Sequence, residues 1–334
     1  MEFSATGRLV VRITTADVGK RVSVRRLSDV GATGGKFTDT VGVLTSWDAG
    51  VLVITRKGGE VVRIDESSLV AGKVVPAAPA RRGGPAASYG ELARVCARAW
   101  RPVESERLGT WELRAAAGFT RRANSVLPLG DPGVPLDEAL DAVRRWYGAR
   151  GLPAYVQAAT GAEGTDEPLC AELERRGWVR EVTAEVWIGA LAPVADREAR
   201  GVVLTREADD AWLARYRRKG VSEVALQVLG GGPSVWFASV PGDEGAAPAA
   251  IGRCVVDGRW AGFAAVEVDP SQRRRGLATT VMAALARRAL DEGASAAWLQ
   301  VEEDNAGARA LYAGMGFGAH HAYHHYREPA AGAP

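Results

Sequence analysis

The stretch from Trp260 to Glu292 constrains this chain more than any other. WAGFAAVEVDP, Trp260 to Pro270, reads as a strand that stops at a proline. Leu277, Val281, Leu285 and Ala289 then recur every four residues, and Gly293 follows. That spacing predicts a helix from about Ala278 to Glu292. Between strand and helix lies Arg273-Arg274-Arg275-Gly276-Leu277-Ala278. A strand that turns directly into a helix presents the helix's unpaired amides and the positive end of its dipole at the turn. Gly276 lets a ligand approach the backbone closely. With arginines around it, such a turn suits a phosphate or pyrophosphate. A solvated basic turn before an amphipathic helix uses the same residue types, so the surrounding chain must decide.

Charge argues against a nucleic-acid patch. Over residues 76–334, 31 Lys and Arg face 32 Asp and Glu, so the three arginines do not belong to a basic domain. Cys96, Cys170 and Cys254 are far apart and odd in number, with no CxxC pair. They give no disulfide framework, which fits a reducing compartment. MEFSATGRLVVRITT has no long apolar core of a leader peptide, and no run approaches the roughly 20 apolar residues of a membrane span. A cytoplasmic protein without membrane partners is the expectation.

KRVSVRRL, TVGVLTSW, VLVITRK and EVVRIDE are β-rich, with turn chemistry at Asp48-Ala49-Gly50 and Lys57-Gly58-Gly59. Short strands in so short a segment predict a small SH3-like β-barrel over 1–75. A Pro-, Gly- and Ala-rich linker, 76–89, follows. Helices and strands then alternate, as in an α/β or α+β fold. LDEALDAVRRWYGARG, Leu136 to Gly151, reads as one amphipathic helix. VSEVALQVL reads as another, with GGGP, Gly230 to Pro233, as a loop after it. AYVQ, Ala154 to Gln157, matches AWLQ, Ala297 to Gln300. Glu172 to Trp178 then matches Leu311 to Phe317, each ending in a Gly-aromatic pair. Two such matches in the same order indicate an internal duplication of one αβ unit.

The Arg273–Ala278 run after a strand, and Asn305 before a helix ending Leu311-Tyr312-Ala313-Gly314-Met315-Gly316-Phe317, resemble the two signatures of the GNAT superfamily of acyl-CoA N-acyltransferases. The resemblance implies a fold of the α/β class, an α+β GNAT fold with a mixed sheet. It covers about Val202 to Arg327, within a catalytic unit at 196–334. Residues 90–195 resemble a degenerate GNAT-like unit. They lack the Arg-x-x-Gly-x-Ala run, and Leu173 stands where the tyrosine would be, so no acyl-CoA is expected there. By this resemblance Arg273, Arg274, Arg275, Gly276, Leu277, Ala278 and Thr279 hold the pyrophosphate of acetyl-CoA. Val266 and Val268 bind its pantetheine arm and polarise the thioester carbonyl, and Asn305 holds the arm from the other side. Tyr312 protonates the departing thiolate. The chemistry needs such a donor at the oxyanion and an acid at the leaving group.

The acceptor amine must also lose a proton. Where some relatives place a glutamate, twelve residues before the tyrosine, this chain has Gln300. Glu302, two residues on, and Glu267 are the remaining candidate bases. The four histidines of HHAYHH, His320 to His325, put His321 and His325 on one face of a strand and His320 and His324 on the other. They have no acidic or thiol partner within the run, so no metal site is expected and a hydrophilic strand is the default. The expected activity is acetyl transfer to a primary amine by direct attack in a ternary complex. The alternative is a non-catalytic acyl-CoA sensor with an RNA- or protein-binding barrel.

Overall fold

A computed structural model describes residues 11–28, 36–75, 84–216, 221–243 and 246–329. Most of the expected linker, 76–83, and residues 1–10 of the segment read for a leader lie outside the described residues. The chain forms two compact units, Met1–Pro79 with Ala158–Val179, and Ala80–Gln157 with Arg180–Pro334.

Among its described residues the first unit holds five strands: β1 (Arg21–Ser28), β2 (Lys36–Asp48), β3 (Val51–Thr55), β4 (Val61–Asp65) and β5 (Leu69–Val74). They make an antiparallel sheet in the order β4-β3-β2-β1-β5. Alternating residues of β1 to β4, among them Val22, Val24, Leu44, Leu52, Ile54 and Ile64, close over Ile13. Ala49 and Gly50 both have positive φ, 47° and 76°, as a two-residue hairpin turn between β2 and β3 requires. Four strands coincide with the expected segments, and β5 is an addition to them. Thr160 Oγ1 donates to the carbonyl of Lys57 at 3.0 Å, tying the later segment of this unit to the sheet.

The second unit contains the duplicated αβ element. The earlier repeat runs α1 (Tyr89–Ala99), β6 (Glu104–Leu108), β7 (Trp111–Ala115), β8 (Leu127–Pro128), α2 (Leu136–Gly148), β9 (Tyr155–Thr160), α3 (Glu167–Arg175) and β10 (Val179–Ala190). After α4 (Ala192–Ala195), the later repeat runs β11 (Val203–Thr205), α5 (Asp210–Arg215), α6 (Glu223–Gly230), β12 (Ser234–Val240), β13 (Ala250–Asp257) and β14 (Trp260–Val268). It ends with α7 (Leu277–Asp291), β15 (Ala296–Glu302), α8 (Ala306–Gly314) and β16 (Gly318–Arg327). The residues Tyr155–Gln157 of β9 and Arg180–Ala190 of β10 belong to this unit, whereas α3 belongs to the first.

The main sheet has the order β11-β12-β13-β14-β15-β10-β16-β9. Its topology shows what the duplication does. The last strand of each repeat sits beside a strand of the other: β10 pairs antiparallel with β15, from Ala184↔Glu302 to Ala190↔Ala296, and β16 neighbours β9. β10 lies in the span expected as the degenerate unit, yet it is hydrogen-bonded inside the sheet of the later repeat. An exchange of this kind pairs strand edges that would otherwise lie open. Gly189 of β10 fits because Phe317 lies against it; a Cβ there would sit 3.3 Å from the ring.

Helix α7 covers one face of this sheet. Val281, Met282, Leu285, Ala286 and Ala289 bury themselves against Ala250, Cys254, Phe263, Ala297 and Leu299. α7 spans one residue earlier than the expected helix at each end, and Gly293, at φ 90°, follows it. The three cysteines are free and buried. Among the described residues, no helix is long and apolar enough to cross a membrane.

Candidate functional site

β14 and β15 begin as parallel neighbours, paired from Trp260↔Ala296 to Phe263↔Leu299. Beyond Phe263 the register between them ends. On its other side β14 carries a bulge against β13, between Ile251 and Arg253. Ala265 there has φ 50°, the left-handed region that costs a residue with a Cβ about 1–2 kcal/mol. Past the bulge β14 no longer pairs with β15, so a gap in the pairing lies beside Val266, Glu267 and Val268. Val266 and Val268 face the α7 side. Glu267, half-buried and already engaged with neighbouring groups, faces the other.

At the end of β14, Asp269 accepts from the Ser271 amide at 2.8 Å and from its hydroxyl, and Arg215 of α5 is ion-paired to it. The Ser271 bonds, with Arg215, pull the Asp269 carboxyl down to about 2. The chain then winds through Arg274 at φ 63° and Gly276 at φ 80°, the N-cap of α7. Left-handed residues in such a turn are the backbone element from which anion nests are built. The helical ladder starts with Thr280 N bonded to Gly276 O at 3.0 Å. The amides of Leu277, Ala278 and Thr279 thus precede the ladder, in a first turn with no acidic residue. A Cβ on Gly276 would meet nothing within 4 Å, so the backbone there borders open space. Arg273, Arg274 and Arg275 are exposed around it.

Asn305 caps α8; its Oδ1 accepts from Ala308 N at 3.1 Å, leaving the amide nitrogen as a donor. Tyr312 packs edge-on against Phe317 with centroids 6.2 Å apart, and Phe317 meets Phe263 of β14. Burial alone raises the Tyr312 phenol to about 12, so the hydroxyl keeps its proton at neutral pH. Glu302 is exposed at the end of β15. Gln300 accepts a hydrogen bond from Trp100 Nε1 at 3.2 Å, and Gln300 and Glu302 alternate onto the same face. The candidate acid and the candidate bases therefore lie on opposite faces of the sheet, flanking the gap between β14 and β15.

The corresponding turn of the earlier repeat is built differently. Its loop folds back on the β6–β7 hairpin: Thr110 N donates to Asp131 O at 2.9 Å and Trp111 Nε1 to Gly130 O at 2.9 Å. Pro135 stands at the N-cap of α2, and Asp137 and Glu138 occupy its first turn. Acidic side chains at a helix start repel a phosphate.

A family model described as "Probable histone acetyltransferase Rv0428c C-terminal" matches residues 87–326. The chain belongs to this family. A relative in Mycobacterium tuberculosis (strain ATCC 25618 / H37Rv), named Probable histone acetyltransferase Rv0428c, is 28% identical over 305 residues, 91% of this chain and 93% of that protein. Uncharacterized N-acetyltransferase YobR of Bacillus subtilis (strain 168) is 25% identical over 248 residues, 71% of this chain and 97% of that one. Among solved structures, a GCN5-related N-acetyltransferase from Kribbella flavida aligns with TM-score 0.55 at 16% identity, covering 74% of this chain and 98% of that one. A tandem GNAT protein from the clavulanic acid biosynthesis pathway aligns with TM-score 0.50 at 17% identity, covering 76% and 92%. The chain is thus an acetyltransferase of tandem GNAT architecture.

Within this acetyltransferase, the structure brings Val266, Val268 and the Arg273–Thr279 turn to one end of β14, with Asn305 and Tyr312 on the neighbouring α8. Three features escaped the sequence reading. The Ala265 bulge and the left-handed Arg274 have no residue-type signal, and Arg215 lies 54 residues from the Asp269 that it holds. The histidines also differ from expectation. On a strand read as hydrophilic, His321, His324 and His325 are 3%, 0% and 3% exposed. His321 meets the edge of Tyr89, His325 meets Tyr155 and Tyr323, and His324 Nδ1 lies 2.9 Å from Thr183 Oγ1. Among the described residues no cluster of His, Cys, Asp and Glu could hold a metal.

Proposed function

We propose that this protein transfers the acetyl group of acetyl-CoA to a primary amine by direct attack in a ternary complex. The observation that carries the reading is the left-handed turn Arg274–Gly276 at the start of α7, beside the gap between β14 and β15. In this reading the amides from Arg274 to Thr279 hold the pyrophosphate, with Arg273, Arg274 and Arg275 adding charge. The β14 edge at Val266 to Val268 orients the pantetheine arm and polarises the thioester carbonyl. Asn305 holds the arm from α8. The acceptor nitrogen attacks the carbonyl carbon, the C–S bond breaks, and Tyr312 gives its proton to the sulfur. Glu302 takes the ammonium proton beforehand, with Glu267 as the second carboxylate at the gap. The earlier repeat, with Asp137 and Glu138 at its helix start, is read as a non-catalytic partner. The N-terminal sheet is read as SH3-like and the compartment as the cytoplasm. Arg25 is paired with Asp39, Lys20 with Asp17 and Arg56 with Glu60, which leaves less free charge there for RNA.

Calorimetric titration with acetyl-CoA tests the cradle. Gly276→Glu should abolish the binding heat, and unchanged affinity would refute the assignment. Tyr312→Phe should lower turnover with acetyl-CoA affinity intact; unaltered turnover removes Tyr312 from the acid role. A CoA-release screen over amines, including a histone-tail peptide because of the mycobacterial relative's name, tests the reaction itself.

A further inference from the structure

The face of the sheet that carries Glu302 and Gln300 meets residues of the earlier repeat, Trp100, Arg114 and Arg122 among them. Trp100, at the end of α1, is 4% exposed and donates to Gln300. Two guanidinium groups flank its ring: Arg253 of β13 at 5.0 Å and Arg122, in the segment before β8, at 5.6 Å from the centroid. Arg253 is fully buried and spends its donors on the carbonyls of Leu229, Ala99 and Gly231. Arg114, 1% exposed, spends its own on Ser125 and Gln157.

Arg122 is different. It is half-buried, and its Nε donates to the Tyr323 hydroxyl at 2.8 Å. Its neighbour Arg121 is paired with Glu181 at 2.9 Å. Among the described residues no carboxylate pairs with Arg122, and no acceptor is seen for its two terminal nitrogens. Glu302 and Glu267 are the carboxylates of this face at the β14–β15 end. Glu302 bears on Tyr323 and Glu112 on Arg114, each through space. A half-buried guanidinium with its fork unused by the protein is open to an anion, and a carboxylate fits that fork in two parallel bonds. Glu302 stands on the same face. Glu302 and Arg122 thus offer groups of opposite charge to whatever occupies it.

We propose that Arg122, a residue of the earlier repeat, binds a carboxylate on the acceptor, so that the substrate of this enzyme is an amine that also carries an anionic group. The inference rests on the acetyl-transfer reading for the role of Glu302, but not for Arg122 itself. In it the acceptor's ammonium meets Glu302 at the gap and its carboxylate meets Arg122. The earlier repeat thereby sets specificity for chemistry carried out by the later one.

The test uses the full chain and amines of different span, each against its own amide: γ-aminobutyrate, ε-aminocaproate and glycylglycine. CoA release should favour the acid in at least one pair by roughly tenfold or more in kcat/KM, the effect of one charge-assisted pair. Arg122→Gln should erase the preference by raising KM for the acid, with kcat, the amide's KM and acetyl-CoA affinity unchanged. Arg122→Lys should retain part of it, and thermal unfolding of both variants checks that they fold. Equal use of acid and amide by the parent, a preference for the amide or a basic histone-tail peptide, or an undiminished preference in Arg122→Gln would each overturn the proposal. Should no amine release CoA, the acetyl-transfer reading fails separately. Calorimetry of the three acids against CoA-saturated protein then decides: binding by the parent that Arg122→Gln loses upholds the anion site, and no binding by the parent rejects it.

Discussion

Gly276→Ala separates the cost of backbone strain from the cost to a bound ligand. Gly276 has φ 80°, and a Cβ built on it meets nothing within 4 Å. The methyl therefore collides with no described part of the protein. What remains is the left-handed backbone, which penalises a residue with a Cβ by about 1–2 kcal/mol. For a body of about 150–250 residues that lowers Tm by roughly 2–8 °C. The effect on acetyl-CoA is separate. A methyl on the amide nest pushes the pyrophosphate off at least one charge-assisted amide bond, about 1.5–3 kcal/mol, or roughly ten- to hundredfold in Kd. Gly258 supplies the control, since it has φ 58° and its Cβ would also meet nothing within 4 Å, but it lies in the β13–β14 turn. Gly258→Ala should show the same loss of Tm and no change in Kd. Differential scanning fluorimetry and acetyl-CoA calorimetry on the two variants give the four numbers. If Gly276→Ala loses the expected Tm yet binds acetyl-CoA within about twofold of the parent, the turn is not the cradle and the argument from backbone geometry fails.

Three further outcomes follow from the same coordinates. Arg274→Gly should leave Tm unchanged or raise it by up to about 4 °C, because it relieves a left-handed arginine, and should weaken acetyl-CoA by less than about fivefold, because an exposed side-chain charge contributes little; a larger loss in calorimetry would mean the side chain does the holding. Burial pushes His324 down to about 3 and His325 well below its ordinary range, so both are neutral when folded but take up protons when unfolded below about pH 6.5. Stability should then fall with pH from about 6.5 downward, by about 1.4 kcal/mol per unit for each imidazole, and urea midpoints that stay level between pH 7.5 and 5.5 would contradict their burial. Arg253→Met leaves the buried carbonyls of Leu229 and Ala99 and the half-buried one of Gly231 without this donor, and should cost about 3 kcal/mol or more in chemical denaturation.

The sequence made the strand-to-helix turn before α7 legible because every signal there is local. The strand ends at a proline, a four-residue apolar period starts the helix, and a glycine stands between them. The same local reading found Asn305 ahead of α8 and the matched segments at Ala154 and Ala297. It missed β5, and it read HHAYHH as a hydrophilic strand with no sign of its burial. A polar strand does not announce burial; His321, His324 and His325 are buried because Tyr89, Thr183, Tyr155 and Tyr323 come from elsewhere in the chain to cover them.

The sequence by itself determined the two αβ repeats, the phosphate-suited turn in one of them and its absence from the other, since periodicity, capping and turn residues act over a few positions. Tertiary structure alone decided that β10 of the earlier repeat lies beside β15 of the later one, and that Trp100 reaches Gln300 across 200 residues of chain. Which strand edge pairs with which, and which guanidinium ends without a carboxylate, depends on contacts between distant segments. No local pattern encodes those contacts, and the acceptor side proposed for this enzyme is built from them.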